Sequence, residues 1–183
     1  MKILLIVAQQ GYRDEEYEVP KKIFETAGFE VITCSKKVGR ATGKLGGSTQ
    51  AVISIDDVDV LEYDAVVFVG GPGSVSFQHD VEAHMTAQEA VNEGKILAAI
   101  CWAPTILAQA GVLDWKKATV KDSDGTQRKM LEDNGATYIS QPVVVDGKII
   151  TADGPESAEK FAKKIVEVLQ ERWELQLEQT TRL

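Results

Sequence analysis

The sequence predicts an α/β domain, a mainly parallel sheet with helices on both faces. Three observations carry that reading. Residues 2–8, 65–69 and 96–100 are bare apolar runs, the composition of strands buried on both sides, where no polar alternation survives. Segments of helical spacing separate them, and glycines close those segments at Gly28, Gly94 and Gly111. The length of 183 residues is that of about one domain.

The elements follow in order. Residues 2–8 form the first buried strand, broken by the stretch from Gly11 to Asp14. Residues 15–27 are helical, and residues 29–34 form a second strand ending at Cys34. A Gly-rich, basic stretch at 36–48 is a surface loop or a hairpin, and residues 50–55 alternate as a short strand. The strand at 65–69 ends in Gly70-Gly71-Pro72-Gly73. Asp80 can cap a helix running to about Glu93, because a short side-chain oxygen there satisfies a free backbone N–H. The strand at 96–100 runs directly into Cys101, and residues 102–110 are helical. Shorter pieces follow: a strand at 118–120, a helix at 127–134 and a strand at 137–139. Residues 143–145 and 148–151 flank Asp146-Gly147, a hairpin signal in which glycine supplies the positive φ. From Pro155 an amphipathic helix runs to about Leu175, with Phe161, Ile165, Val168 and Leu169 on one stripe. The tail after Leu177 is polar and expected to fray.

Composition narrows the function. The chain is 44% hydrophobic and 26% charged, an ordinary globular balance. Its 28 acidic and 20 basic residues leave a net charge of -8, which argues against nucleic acid or an anionic membrane as partner. The first apolar run is too short for a signal-peptide core, so a cytoplasmic location is expected. The two cysteines, Cys34 and Cys101, make no disulfide framework and no metal motif, and no metal or cofactor is expected.

In open parallel sheets, ligands sit beyond the carboxyl ends of the strands. Three such ends are unusual here. The first leads to Asp14-Glu15-Glu16 and Glu18, the next to the glycine turn, and the last to Cys101-Trp102-Ala103-Pro104. Parallel strands would open all three on one edge, bringing a carboxyl, a glycine-lined backbone and a thiol together. Taken singly, each has a plainer explanation. Acids suit a helix start, glycines suit a turn, and most free cysteines are small buried hydrophobes. A thiol between a buried strand and a helix start has the geometry of a nucleophile elbow, where amides and the helix dipole lower a cysteine pKa.

Glu16 followed by Pro20, the Gly70-Gly71 turn and the run Ala99-Ile-Cys101-Trp-Ala-Pro104 together resemble the ThiJ/PfpI superfamily. The resemblance extends over nearly the whole chain. It implies a flavodoxin-like three-layer sandwich, and a homodimer or a larger assembly of dimers. It also implies that Cys101 is the reactive nucleophile, that Glu16 is a protonated acid hydrogen-bonded to it, and that Gly70, Gly71 and the backbone of Trp102 form the oxyanion site. Two positions depart from the pattern. Trp102 stands where one branch has a histidine after the cysteine, and Thr119-Val120-Lys121-Asp122 contains none where another branch has one. His79 and His84 fall near the glycine turn and are expected at the surface. Asp122 and Asp153 are weak candidates for a replacement base, since a carboxylate is a poor substitute for imidazole at neutral pH.

Three functions compete on this evidence. One is a cysteine-dependent enzyme acting on a small reactive carbonyl, of glyoxalase or deglycase type. The second is a redox-responsive protein whose Cys101 oxidises to a sulfinate without turnover. The third is an inherited fold with a decayed site. Peptidase activity is disfavoured, because an amide leaving group needs a proton donor that the missing histidine would supply. Self-association is expected through an apolar patch formed by Tyr17, Val19 and Ile23.

Overall fold

The computed structural model describes residues 1–181. Its strands are β1 (Lys2–Ile6), β2 (Gln10–Tyr12), β3 (Glu30–Ser35), β4 (Gly39–Gly43), β5 (Ser48–Ala51), β6 (Ile53–Ser54), β7 (Ala65–Phe68), β8 (Ile96–Ile100), β9 (Lys117–Ala118), β10 (Thr137–Tyr138), β11 (Val143–Asp146) and β12 (Ile149–Ala152). The helices are α1 (Asp14–Thr26), α2 (Val81–Asn92), α3 (Pro104–Gln109), α4 (Thr126–Asp133) and α5 (Ala158–Thr181).

Seven strands form the central sheet in the order β11-β12-β8-β7-β1-β3-β6. All neighbours are parallel except β11 and β12, the hairpin turned by Gly147 at φ 61°. Helices flank the sheet, with α1 against α5 and α2 against α3, which gives the flavodoxin-like sandwich. Every residue of β7 and β8 is buried, as strands covered on both faces must be. The chain leaves β1 toward β3 on one side and returns to β7 on the other. The carboxyl ends of β1 and β7 therefore border a switch point, the position where a crevice opens in such sheets.

Local chemistry explains the helix ends. The Asp80 carboxylate accepts from the Ala83 N–H at 3.0 Å and caps α2, as the sequence predicts. Pro20 lies inside α1, so the Glu16 carbonyl one turn earlier loses its usual helical donor.

Several boundaries differ from expectation. The stretch at 36–48 contains β4 and leads into β5, which with β2 make a separate three-stranded sheet. The strand expected at 50–55 is split between β5, β6 and a short 3-10 turn at Ile55–Asp57. The helix after Cys101 starts only at Pro104. A 3-10 turn at Pro155–Ser157 precedes α5, which continues through Thr181 instead of fraying after Leu177. The last two residues of the polar tail lie outside the described residues. The expected apolar patch is also corrected. Tyr17 is buried, its hydroxyl 2.7 Å from both Thr33 Oγ1 and Thr49 Oγ1, while Val19 and Ile23 are half-buried against the core. No helix among the described residues is long and apolar enough to cross a membrane.

Candidate active site

Cys101 leaves β8 with φ 64°, a left-handed conformation that costs an L-residue about 1–2 kcal/mol and turns the chain sharply. Its backbone is pinned on both sides. The Cys101 N–H donates to the Ala152 carbonyl at 2.9 Å, and its carbonyl accepts from the Lys121 N–H at 2.8 Å. The side chain is only 8% exposed. The amides of Gly71 and Trp102 act on its sulfur.

Glu16 comes from the first turn of α1. Arg13 begins that turn, its N–H donating to the Gly70 carbonyl at 2.9 Å. The two neighbouring glutamates then take opposite fates. Glu15 turns outward into a forked pair with Arg13, at 2.8 and 3.0 Å. Glu16 turns inward and is fully buried. Neither of its carboxyl oxygens has a partner of hydrogen-bond geometry, although the Cys101 thiol and the Gly70 amide act on them electrostatically. Burial pushes the Glu16 carboxyl up to about 7, against the opposing pull of Cys101, Arg13 and Gly70.

The glycine turn makes this approach possible. A Cβ at Gly70 would stand 2.5 Å from Glu16 Oε2 and 2.6 Å from the Cys101 Cβ. Gly71, at φ 101°, would bring a Cβ into the backbone N of Arg13. These two glycines let the carboxyl, the thiol and the backbone share one small volume.

A cavity of about 210 Å³ opens over the thiol, and Arg13, Glu16, Lys44, Gly71, Cys101, Trp102 and Lys121 contribute to its walls. The structure thus brings together Glu16, Cys101 and the Gly70, Gly71 and Trp102 backbone. It does not bring in a histidine. His79 is exposed, and His84 Nε2 is engaged with the Gln78 carbonyl at 2.7 Å. The weak carboxylate candidates lie elsewhere. Asp122 accepts from the Gln127 N–H at 3.2 Å, Asp153 accepts from the Ser157 hydroxyl at 2.5 Å, and both line a neighbouring cavity. Among the described residues no three His, Cys, Asp or Glu side chains are grouped to hold a metal ion.

One electrostatic expectation is overturned. Cys101 has no lowered pKa; its thiol is pushed up to about 12, first by burial and then by the charge on Glu16. The Gly71 and Trp102 amides pull it down, but less strongly. The helix dipole invoked for this position belongs to α3, which is six residues long and starts three positions later.

The DJ-1/PfpI family profile matches residues 1–168. The chain belongs to the DJ-1/PfpI family. Within it, Deglycase TK1284 of Thermococcus kodakarensis is 32% identical over 169 residues, covering 92% of this chain and 99% of the relative. Putative cysteine protease YraA of Bacillus subtilis is also 32% identical, covering 92% and 98%. Among solved structures, a ThiJ/PfpI domain protein from Brachyspira murdochii superposes with a TM-score of 0.89 at 38% identity, covering 93% of this chain and 96% of that one. Relatives matched over nearly their whole length thus carry different activity names.

Several wall residues escaped the sequence reading, among them Arg13, Lys44, Lys121 and Glu156. Arg13 sits just before the acidic cluster, and Lys44 lies in the Gly-rich stretch read as loop or hairpin. The pairing of β4 with β2 helps bring Lys44 to the cavity, and no local sequence signal announces that pairing.

Proposed function

We propose that the protein is a cysteine-dependent enzyme acting on small reactive carbonyls, a deglycase or glyoxalase-like member of its family. The observation that carries the reading is the buried Glu16 carboxyl beside the Cys101 thiol at the base of an open cavity. A group that titrates near neutrality can both take and return a proton. In the first step Cys101 sulfur bonds to the aldehyde carbon, and its proton passes to the Glu16 carboxylate. The carbonyl π pair moves onto oxygen beside the Gly71 and Trp102 amides. Glu16 then returns the proton to that oxygen, leaving a neutral thiohemiacetal and a regenerated carboxylate.

The relatives named as deglycases support this class of reaction. The lack of an imidazole in the cavity weighs against peptide hydrolysis, where the leaving nitrogen must be protonated. Turnover of methylglyoxal by wild type and Cys101→Ser is the test. The variant is expected to lose at least about a thousandfold. Absence of wild-type turnover, with a mass gain of two oxygens at Cys101 under peroxide, would favour the redox reading instead. The same amides and a protonated Glu16 could hold such a sulfinate. We also infer self-association, now from family resemblance alone, since Tyr17 is core. Light scattering at micromolar concentration should give a mass well above the 20.0 kDa of one chain; one-chain mass would refute it.

A further inference from the structure

We propose that the Cys101 cavity selects electrophiles that carry a carboxylate next to the reacting carbon, held between Lys44 and Lys121, with Asp14 as the residue that positions Lys44. As a statement of substrate class this rests on the carbonyl-enzyme reading; as a statement about the cavity it does not.

The protein carries a net charge of -8, yet the cavity wall holds three cations, Arg13, Lys44 and Lys121. Each is carried on backbone whose own N–H is tied to a residue at or beside the reactive cluster, and the Lys44 residue itself is solvent-exposed. Arg13 donates to Gly70 at 2.9 Å, Lys44 to Tyr12 at 2.8 Å and Lys121 to Cys101 itself at 2.8 Å. Their roles then diverge. Arg13 is committed to Glu15. Lys44 and Lys121 form no ion pair among the described residues, whereas Lys36 and Lys129 for example do. Glu156 shares the wall, and its Oε2 and the Lys121 Nζ both flank the open face of Gly154, at 3.5 and 3.6 Å from where a Cβ would stand. Glu16 and Glu156 are thus the two acids of a wall that holds three cations.

Asp14 explains why Lys44 is held at the wall. It is buried, and its two oxygens accept the Leu45 and Gly47 N–H groups at 2.7 Å each. That closes the β4–β5 turn around Lys44. A Cβ at Gly43 or Gly47 would collide with the Asp14 carboxylate, so the glycines of this basic stretch let the clamp close. Both buried carboxylates of α1's first turn therefore serve the cavity, Glu16 at its base and Asp14 through its wall. A cavity of about 210 Å³ suits a small molecule, and a carboxylate with two oxygens can face two ammonium groups at once.

The test is the ratio of the rates at which iodoacetate and iodoacetamide alkylate Cys101, read by mass spectrometry. The two probes differ in one charge and deliver the same chemistry, in which sulfur bonds to carbon and iodide leaves. At low salt the wild-type ratio should exceed that of glutathione by about tenfold and should fall as salt is added. Lys44→Gln and Lys121→Gln should each lower it several-fold, and the double variant should match glutathione. Lys44→Arg should preserve it. Asp14→Asn should lower it toward the Lys44→Gln value with an unchanged far-ultraviolet circular dichroism spectrum, which a general loss of structure would not give. A wild-type ratio equal to that of glutathione, or one unmoved in the double variant, would overturn the proposal. Alkylation requires no turnover, so the two claims fail separately. A high ratio without carbonyl turnover sinks the enzymatic reading only, and turnover with a free-thiol ratio sinks this one only.

Discussion

Cys34 and Cys101 are both buried, and burial pushes both thiols up to about 12. Acidity therefore does not distinguish them. Surroundings do. Cys34 lies in β3 with regular strand pairing on both sides, in register with Ile6 and Ile53, and its thiol donates to the Ser35 carbonyl at 3.7 Å. Cys101 occupies a strained turn with φ 64°, two amides act on its sulfur, a titrating carboxyl stands beside it, and a cavity opens above it. In the proposed reaction, access and a nearby proton acceptor would set reactivity, in a site where burial outweighs the effects that lower a thiol pKa.

The sharpest way to break that comparison is to label both thiols at once. Iodoacetamide near neutral pH should modify Cys101 at least about a hundredfold faster than Cys34, which should react only as fast as the sheet opens. Equal rates in the folded protein, checked by mass spectrometry of the peptides, would remove the distinction.

A smaller effect separates the two environments through stability. Glu16 has no counterpart beside Cys34, and its carboxyl is raised from the ordinary 4.5 to about 7. An acid raised on folding favours the native state while protonated. Its contribution is complete below about pH 4.5 and is lost as pH rises through about 7, because the unfolded chain ionises first. At one pKa unit per 1.36 kcal/mol, the loss is on the order of 3 kcal/mol. Glu16→Gln should abolish it, which urea unfolding at about pH 5 and about pH 8 would read as a smaller difference between the two conditions in the variant. The same pH dependence in wild type and variant would mean that another group titrates.

The sequence revealed some of this and not the rest, for physical reasons. Buried parallel strands must be apolar throughout, so β1, β7 and β8 were legible as bare runs. A helix cap is a local signal, so Asp80 was legible too. The elbow at Cys101 followed from a strand ending directly in a cysteine. The β4–β5 pairing is local and agrees with the hairpin alternative for 36–48, but its joining to β2 was hidden, because short polar strands rich in glycine lack periodicity and that pairing links residues about thirty positions apart. Lys44 was hidden with it. The thiol pKa was misjudged because sequence spacing shows the nearby amides but not the depth of burial, nor that Glu16 would turn inward while Glu15 turned out.

The central claim is that Glu16 is the proton acceptor for Cys101, and the pH dependence of Cys101 alkylation tests it most directly. In wild type the iodoacetamide rate should rise through an inflection near pH 7, as the Glu16 carboxylate becomes available to take the thiol proton. In Glu16→Gln that inflection should vanish, leaving a rise at higher pH governed by the thiol alone. An inflection near neutrality that persists unchanged in Glu16→Gln would contradict the account.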